Sequence, residues 1–105
     1  MIPIMCIVQD GQIPAQTETQ LKTQIAEFAQ RAFSAPAEID WIVVPEGSGF
    51  TAAVPSTSIV ASLHANRALP QDERISLLNE LTEICTTLTG RSAHEVVTSI
   101  RNPKD

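Results

Sequence analysis

Apolar residues follow two different periods along this chain. Ile4-Met5-Cys6-Ile7-Val8 is a short unbroken apolar run, and Ile39 to Val44 repeats it with one charged interruption at Asp40, so both read as strands. Between them Leu21, Ile25, Phe28 and Ala32 recur at i, i+4, i+7 and i+11, which is one face of a helix. The same spacing returns at Leu77, Leu81, Ile84 and Leu88, displaced by 56 positions, and Pro14 stands in that relation to Pro70. Carried outward, the offset sets Val60 to His64 against the first strand and Glu95 to Ile100 against the second. The pattern predicts one β-α-β unit used twice, over about residues 3–45 and 58–101, within a single domain spanning 1–105.

Local signals refine the helix ends. Pro14 and Pro70 suit a first helical turn, where a missing amide proton costs nothing, and Asp72 and Glu73 place negative charge where a helix N-terminus favours it. Gly90 is placed to cap the second helix, and Ser92 to Glu95 has the spacing of a capping box closing a single turn before the last strand. Pro45 to Ser56, rich in glycine, serine and proline, reads as the linker between units. The expected fold class is α+β, with a four-stranded sheet and both helices on one face, because each crossover is right-handed. The first strand is apolar on both faces (Ile4, Cys6 and Val8 against Met5 and Ile7), so the face that two helices leave open must pack on another subunit.

Composition narrows the function classes. The chain has 105 residues, 43% of them hydrophobic, enough for one core. Its net charge of −5 and the lack of any basic cluster argue against nucleic acid as a partner. No apolar stretch reaches the roughly 20 residues of a membrane span, and the apolar first residues lack a basic leader, so a cytoplasmic protein without a membrane partner is expected. Cys6 and Cys85 have no CxxC or histidine spacing around them and read as buried, reduced thiols. No metal and no cofactor is implied, and Ser62 and Thr98 flank no histidine–carboxylate pair of the kind a nucleophilic triad needs.

Pro3 is the candidate reactive residue. A proline at the chain terminus is a secondary amine that exchanges protons near neutral pH, whereas one acylated by its neighbour is an amide with no basic lone pair. Initiator methionine is trimmed before small residues or proline, so Ile2 is expected to keep Met1 in place and Pro3 blocked.

With Pro3 and Gln9-Asp10, the stretches Trp41-Ile42-Val43-Val44-Pro45-Glu46, Ala61-Ser62-Leu63-His64 and Thr89-Gly90-Arg91-Ser92-Ala93-His94-Glu95-Val96 give the chain its resemblance to a known family. In order and spacing, and over nearly the whole length, it resembles the tautomerase superfamily, in particular the longer members similar to macrophage migration inhibitory factor and cis-chloroacrylic acid dehalogenase. The resemblance implies a homotrimer whose three sheets enclose a barrel with the helices outside. It also implies a pocket at each subunit interface, where an amino-terminal proline moves a proton on small carbonyl acids or activates water. The proline aligned with that residue is Pro3. The family's other polar partners are mostly replaced: its lysine falls at Ser34, a helix histidine near Ala29, an arginine at Gln12 and the final-strand tyrosine at Val97.

Arg67 remains near the family's carboxylate-gripping arginines, a task that suits a planar guanidinium, and reads either as that anchor or as a solvated loop residue. Asn66 aligns with a residue that binds substrate through its backbone amide. Arg101, ending the last strand, reads as a further substrate contact or an interface residue, and His64 as a contact or a structural strand-end histidine. Trp41 and Phe50 are expected in the core, or else lining an apolar pocket. Two functions follow: a keto–enol tautomerase-like isomerase, or a relative, acting on a small anionic carbonyl carboxylate, and alternatively a non-catalytic trimer of the same fold that binds a ligand or partner.

Overall fold

The computed structural model describes residues 1–51 and 53–103. Its elements are β1 (Ile2–Gln9), α1 (Ala15–Phe33), β2 (Ala37–Val44), β3 (Phe50–Thr51), β4 (Val54–Pro55), β5 (Ile59–His64), α2 (Gln71–Thr89) and β6 (Val96–Arg101), with a single 3-10 turn at Ala93–Glu95 before β6. The helices begin at Ala15 and Gln71, which keeps the offset of the sequence pattern, and each has 19 residues. The sheet order is β2-β1-β5-β6, with β1/β2 and β5/β6 parallel and β1/β5 antiparallel, so two β-α-β units meet along their first strands.

Several boundaries differ from the expected ones for identifiable reasons. Pro14 and Pro70 stand one position before the first helical turn, in extended conformation, and their carbonyls accept the first intrahelical bonds from Glu18 and Arg74. Proline lacks a donor in either place, so the sequence signal is the same. β1 starts at Ile2 instead of Ile4, because the Ile2 amide donates to Pro36 O at 2.8 Å and Ile2 pairs with Ala37. The Ser92–Glu95 turn forms without a reciprocal capping box: the Ser92 hydroxyl donates to the Glu95 carboxylate, and the backbone bond runs from Glu95 N to Ser92 O. The linker contains the β3/β4 hairpin, which the glycine- and proline-rich composition concealed; Ala52 of that linker lies outside the described residues. Gly90 caps α2 as expected, with φ of 72°, and Ser34 takes the same left-handed role for α1.

Alternation along β1 divides the sheet faces. Ile2, Ile4, Cys6 and Val8 are buried, with Ile59, Ala61 and Leu63 beside them on β5, and Leu21, Ile25, Phe28, Leu81 and Cys85 cover them from the helices. Leu77 and Ile84 are only half-buried, packed against the margin of that core. Phe28 meets Phe33 edge to face at 6.3 Å, and an Arg31–Glu80 ion pair ties α1 to α2 on the same side of the sheet. Burial pushes the Cys6 thiol up to about 12 and the Cys85 thiol to about 11, so both are inert at neutral pH. Trp41 packs against this core, as expected; Phe50, expected there too, is 60% exposed on the hairpin.

Candidate functional site

The face without helices is ordered by register. Pro3 pairs with Glu38, Ile4 pairs with Leu63, and His64 pairs with Arg101, so Glu38, Pro3, His64 and Arg101 form one row across the sheet from edge to edge. Asp40, Met5, Ser62 and Ser99 form the row behind it, and Ile42, Ile7, Val60 and Val97 the next. One end of the face is therefore polar and the middle apolar. A cavity of about 460 Å³ lies over the polar rows, with Pro3, Ser62, His64 and Arg101 in its lining and Glu38 and Asp40 on its β2 side.

Local packing fixes these side chains. Arg101 Nη2 donates to Ser62 Oγ at 3.2 Å, which draws the guanidinium from the β6 edge toward the sheet centre. His64 Nδ1 lies 3.3 Å from Asn102 O, a contact that suits the Nδ1-protonated tautomer and leaves Nε2 for a ligand. Asn102 is itself held, since its Oδ1 accepts from Leu69 N at 3.2 Å and Arg74 Nη2 at 2.6 Å. Pro3 is exposed to the cavity, while Ile2, whose carbonyl acylates it, has no exposed surface.

The structure thus brings together Pro3, His64 and Arg101 but places Asn66 and Arg67 elsewhere in the subunit. Asn66 Nδ2 donates to Phe33 O at 2.9 Å, and Arg67 Nη2 donates to Ala32 O at 3.2 Å, so both serve the carbonyls left over at the end of α1. Arg67 also pairs with Glu73 at 2.6 Å and lies over the Phe33 ring; the hydrogen bond to Glu73 raises its already high pKa. Glu38 and Asp40 are not singled out by the sequence, and Ser62 is weighed there only as a nucleophile. Their signal is the period of two in β2, where Glu38 and Asp40 alternate with Ile39 and Trp41, combined with a register that sequence does not state.

Two other concavities frame this one. Ile7, Val44, Phe50, Val60 and Val97 line an apolar cavity of about 460 Å³ over the middle of the same face. The loops at the opposite end surround a third, of about 560 Å³, whose lining includes Glu46, Thr57, His94 and Glu95. Polar groups there bond one another: Thr57 Oγ1 donates to Glu95 and accepts from Arg91 Nη1 at 2.7 Å, and the Thr57 bond is the main cause of the lowered Glu95 pKa. Gln9 closes that end, with its side chain donating to Ser56 O at 2.8 Å and accepting from Gly47 N at 2.9 Å. Among the described residues no group of three or more histidine, cysteine, aspartate or glutamate side chains could hold a metal, and no helix is long and apolar enough to cross a membrane.

No family model and no curated protein sequence matches the chain. Solved structures do. The native structure of Ps01740 superposes with a TM-score of 0.86 at 22% identity, covering 96% of this chain and 93% of that one. A wild-type fused 4-OT described as a symmetric trimer gives 0.82 at 13% identity, covering 96% and 85%. N1, described as a member of the cis-3-chloroacrylic acid dehalogenase family, gives 0.83 at 11% identity, covering 96% and 74%. At such identities the likeness is one of fold: the chain shares the fold of the fused 4-OT and of the cis-3-chloroacrylic acid dehalogenase family member, as its sequence resemblance leads one to expect.

Proposed function

We propose that the chain assembles as a cytoplasmic homotrimer and that the Pro3 cavity, completed by a neighbouring subunit, takes a small carbonyl carboxylate, as in a tautomerase-like isomerase. The observation that carries this reading is the row Pro3, His64, Arg101 on the helix-free face of a tautomerase fold. Arg101 supplies a planar donor for the carboxylate, His64 a hydrogen-bonding imidazole, and Pro3 the floor. Arg67 and Asn66 act in the same pocket only if they arrive from the adjacent subunit. The apolar middle of the face, where Val97 is 49% exposed, is the surface that trimer formation would bury, as a symmetric trimer of the related fold would.

A second reading is favoured by one specific feature. Ile2 is fully buried and its amide belongs to the β1–β2 ladder, so the acyl group on Pro3 is part of the sheet. An acylated proline cannot exchange a proton, and in that form the pocket binds without proline-dependent catalysis. Arylpyruvate tautomerisation separates the two. The protein with Met1 and Ile2 in place should show little of it, and light scattering should give about three times the 11.4 kDa chain mass. A monodisperse monomer, or full activity retained after Pro3→Ala, would overturn the proline-centred assignment.

A further inference from the structure

The four ion pairs among the described residues, Glu18–Lys22, Arg31–Glu80, Arg67–Glu73 and Arg91–Glu95, all lie away from the Pro3 cavity. Inside it, charges of opposite sign face each other across the sheet without pairing. Glu38 and Asp40 stand on β2, one edge of the sheet; Arg101 stands on β6, the other edge, with Pro3, Met5, His64 and Ser62 between them. Arg101 hydrogen-bonds to Ser62, a neutral group. Glu38 and Asp40 are both exposed toward the cavity they line.

We infer that this cavity is built for a short zwitterion, a β- or γ-amino acid whose carboxylate meets Arg101 and His64 and whose ammonium meets Glu38 and Asp40. The inference rests on the reading of the Pro3 cavity as a carboxylate site and adds the group at the ligand's other end. Charge balance argues for it. A plain carboxylate would satisfy Arg101 and leave two acidic side chains facing it, and a dicarboxylate would be repelled by them, whereas an ammonium converts both into acceptors of charge-assisted hydrogen bonds.

Distance argues for it as well. Three strand spacings separate β2 from β6, roughly 14 Å, and the lean of Arg101 onto Ser62 removes about one spacing, leaving about 9–10 Å between guanidinium and acidic edge. Two hydrogen bonds of about 2.9 Å each leave roughly 4 Å for the charge separation of the ligand itself, a span of two or three methylenes. Those methylenes would rest on the Pro3 ring and the Met5 side chain, which lie between the charged edges. The blocked nitrogen matters here, because a protonated amine on that floor would repel the ligand's ammonium and an amide does not.

Isothermal titration of the intact protein at neutral pH with 3-aminopropanoate and 4-aminobutanoate, each against its amine-free parent acid, propanoate or butanoate, tests the inference. The aminated member of each pair should bind at least tenfold more tightly. In a Glu38→Gln, Asp40→Asn double variant that advantage should vanish while the affinity for the parent acid stays the same or rises, and Arg101→Gln should weaken both members. Equal affinity for aminated and parent acids overturns the zwitterion assignment but leaves the carboxylate cavity standing. Failure of all four probes to bind overturns both. An advantage that survives the double variant, or disappears only together with the native mass in light scattering, overturns the inference by assigning the two carboxylates to other work.

Discussion

Ile2 decides both how the first strand is anchored and whether Pro3 has any chemistry, so its removal is the most informative perturbation. Its side chain has no exposed surface, its amide donates to Pro36 O at 2.8 Å, and it pairs with Ala37 at the start of the sheet. Ile2→Ala, whose small residue lets Met1 be trimmed, keeps the acyl group on Pro3 and a nitrogen donor facing Pro36 O while emptying a core site, a change that costs about 2–5 kcal/mol. Against a total of roughly 5–15 kcal/mol for a domain of this size, a mid-range loss of about 3 kcal/mol is severe. At about 4–8 °C per kcal/mol it lowers Tm by about 12–24 °C. Deleting Ile2 adds the loss of the hydrogen bond, a further net cost of about 1 kcal/mol, but the resulting Met-Pro start is trimmed and leaves proline as a free secondary amine.

Thermal melts by circular dichroism at fixed protein concentration, paired with an ultraviolet assay of arylpyruvate tautomerisation, separate these effects. The parent and Ile2→Ala should both be nearly inactive although their melting points differ widely. The deletion variant should melt lower still, yet gain activity well above the parent when assayed below its transition. If Ile2→Ala melts within about 3 °C of the parent, the burial of Ile2 does not anchor the strand and the reasoning fails. If the parent is fully active and Pro3→Ala changes nothing, another residue carries the proton.

The linker, the thiols, the carboxylate anchor and the assembly face give four further expectations. A Cβ at Gly49 would lie 2.3 Å from Gln9 Nε2 and 2.6 Å from Ser56 O, so Gly49→Ala should break the Gln9 clamp and cost about 1–3 kcal/mol in a denaturant melt; an unchanged midpoint refutes the clamp. Burial favours the protonated forms of Cys6 and Cys85, so their contribution to stability is complete below the ordinary thiol value of 9.0 and is lost as pH rises through about 11 and about 12; titration with Ellman's reagent at pH 8 should find no reactive thiol in the folded protein and two per chain in denaturant. Arg101→Ala should weaken carboxylate binding at least tenfold by titration calorimetry, and a matching loss in Arg67→Ala would mean that a neighbouring subunit delivers that loop to the cavity. Val97→Lys, placing charge at the β6 end of the apolar row on the open sheet face, should reduce the mass seen by light scattering to that of one chain.

Helical spacing at Leu21, Ile25 and Phe28 and its echo at Leu77, Leu81 and Ile84 made the β-α-β repeat legible, because a helix face is a property of residues a few positions apart. The cavity was legible only in part, because it is a property of register. Pro3, His64 and Arg101 are widely separated in sequence and meet only because β1 runs antiparallel to β5 and β5 parallel to β6, while the parallel β1–β2 pairing brings Glu38 and Asp40 to the same face. A shift of one residue in the β1–β2 pairing would turn Glu38 and Asp40 into the core and expose Ile39 and Trp41. The burial of Ile39 and Trp41 against the helices therefore fixes which acids face the cavity, as the burial of Ile4 and Leu63 fixes the placing of Pro3 and His64. Arg67 shows the complementary limit: its sequence position resembles that of an anchor, and within its own subunit its guanidinium reaches Glu73 and the carbonyl end of α1, so a role as anchor is a property of assembly and not of one chain's register. Core residues thus determine the composition of the site, and the mutations most disruptive to its chemistry need not be those of the residues that line it.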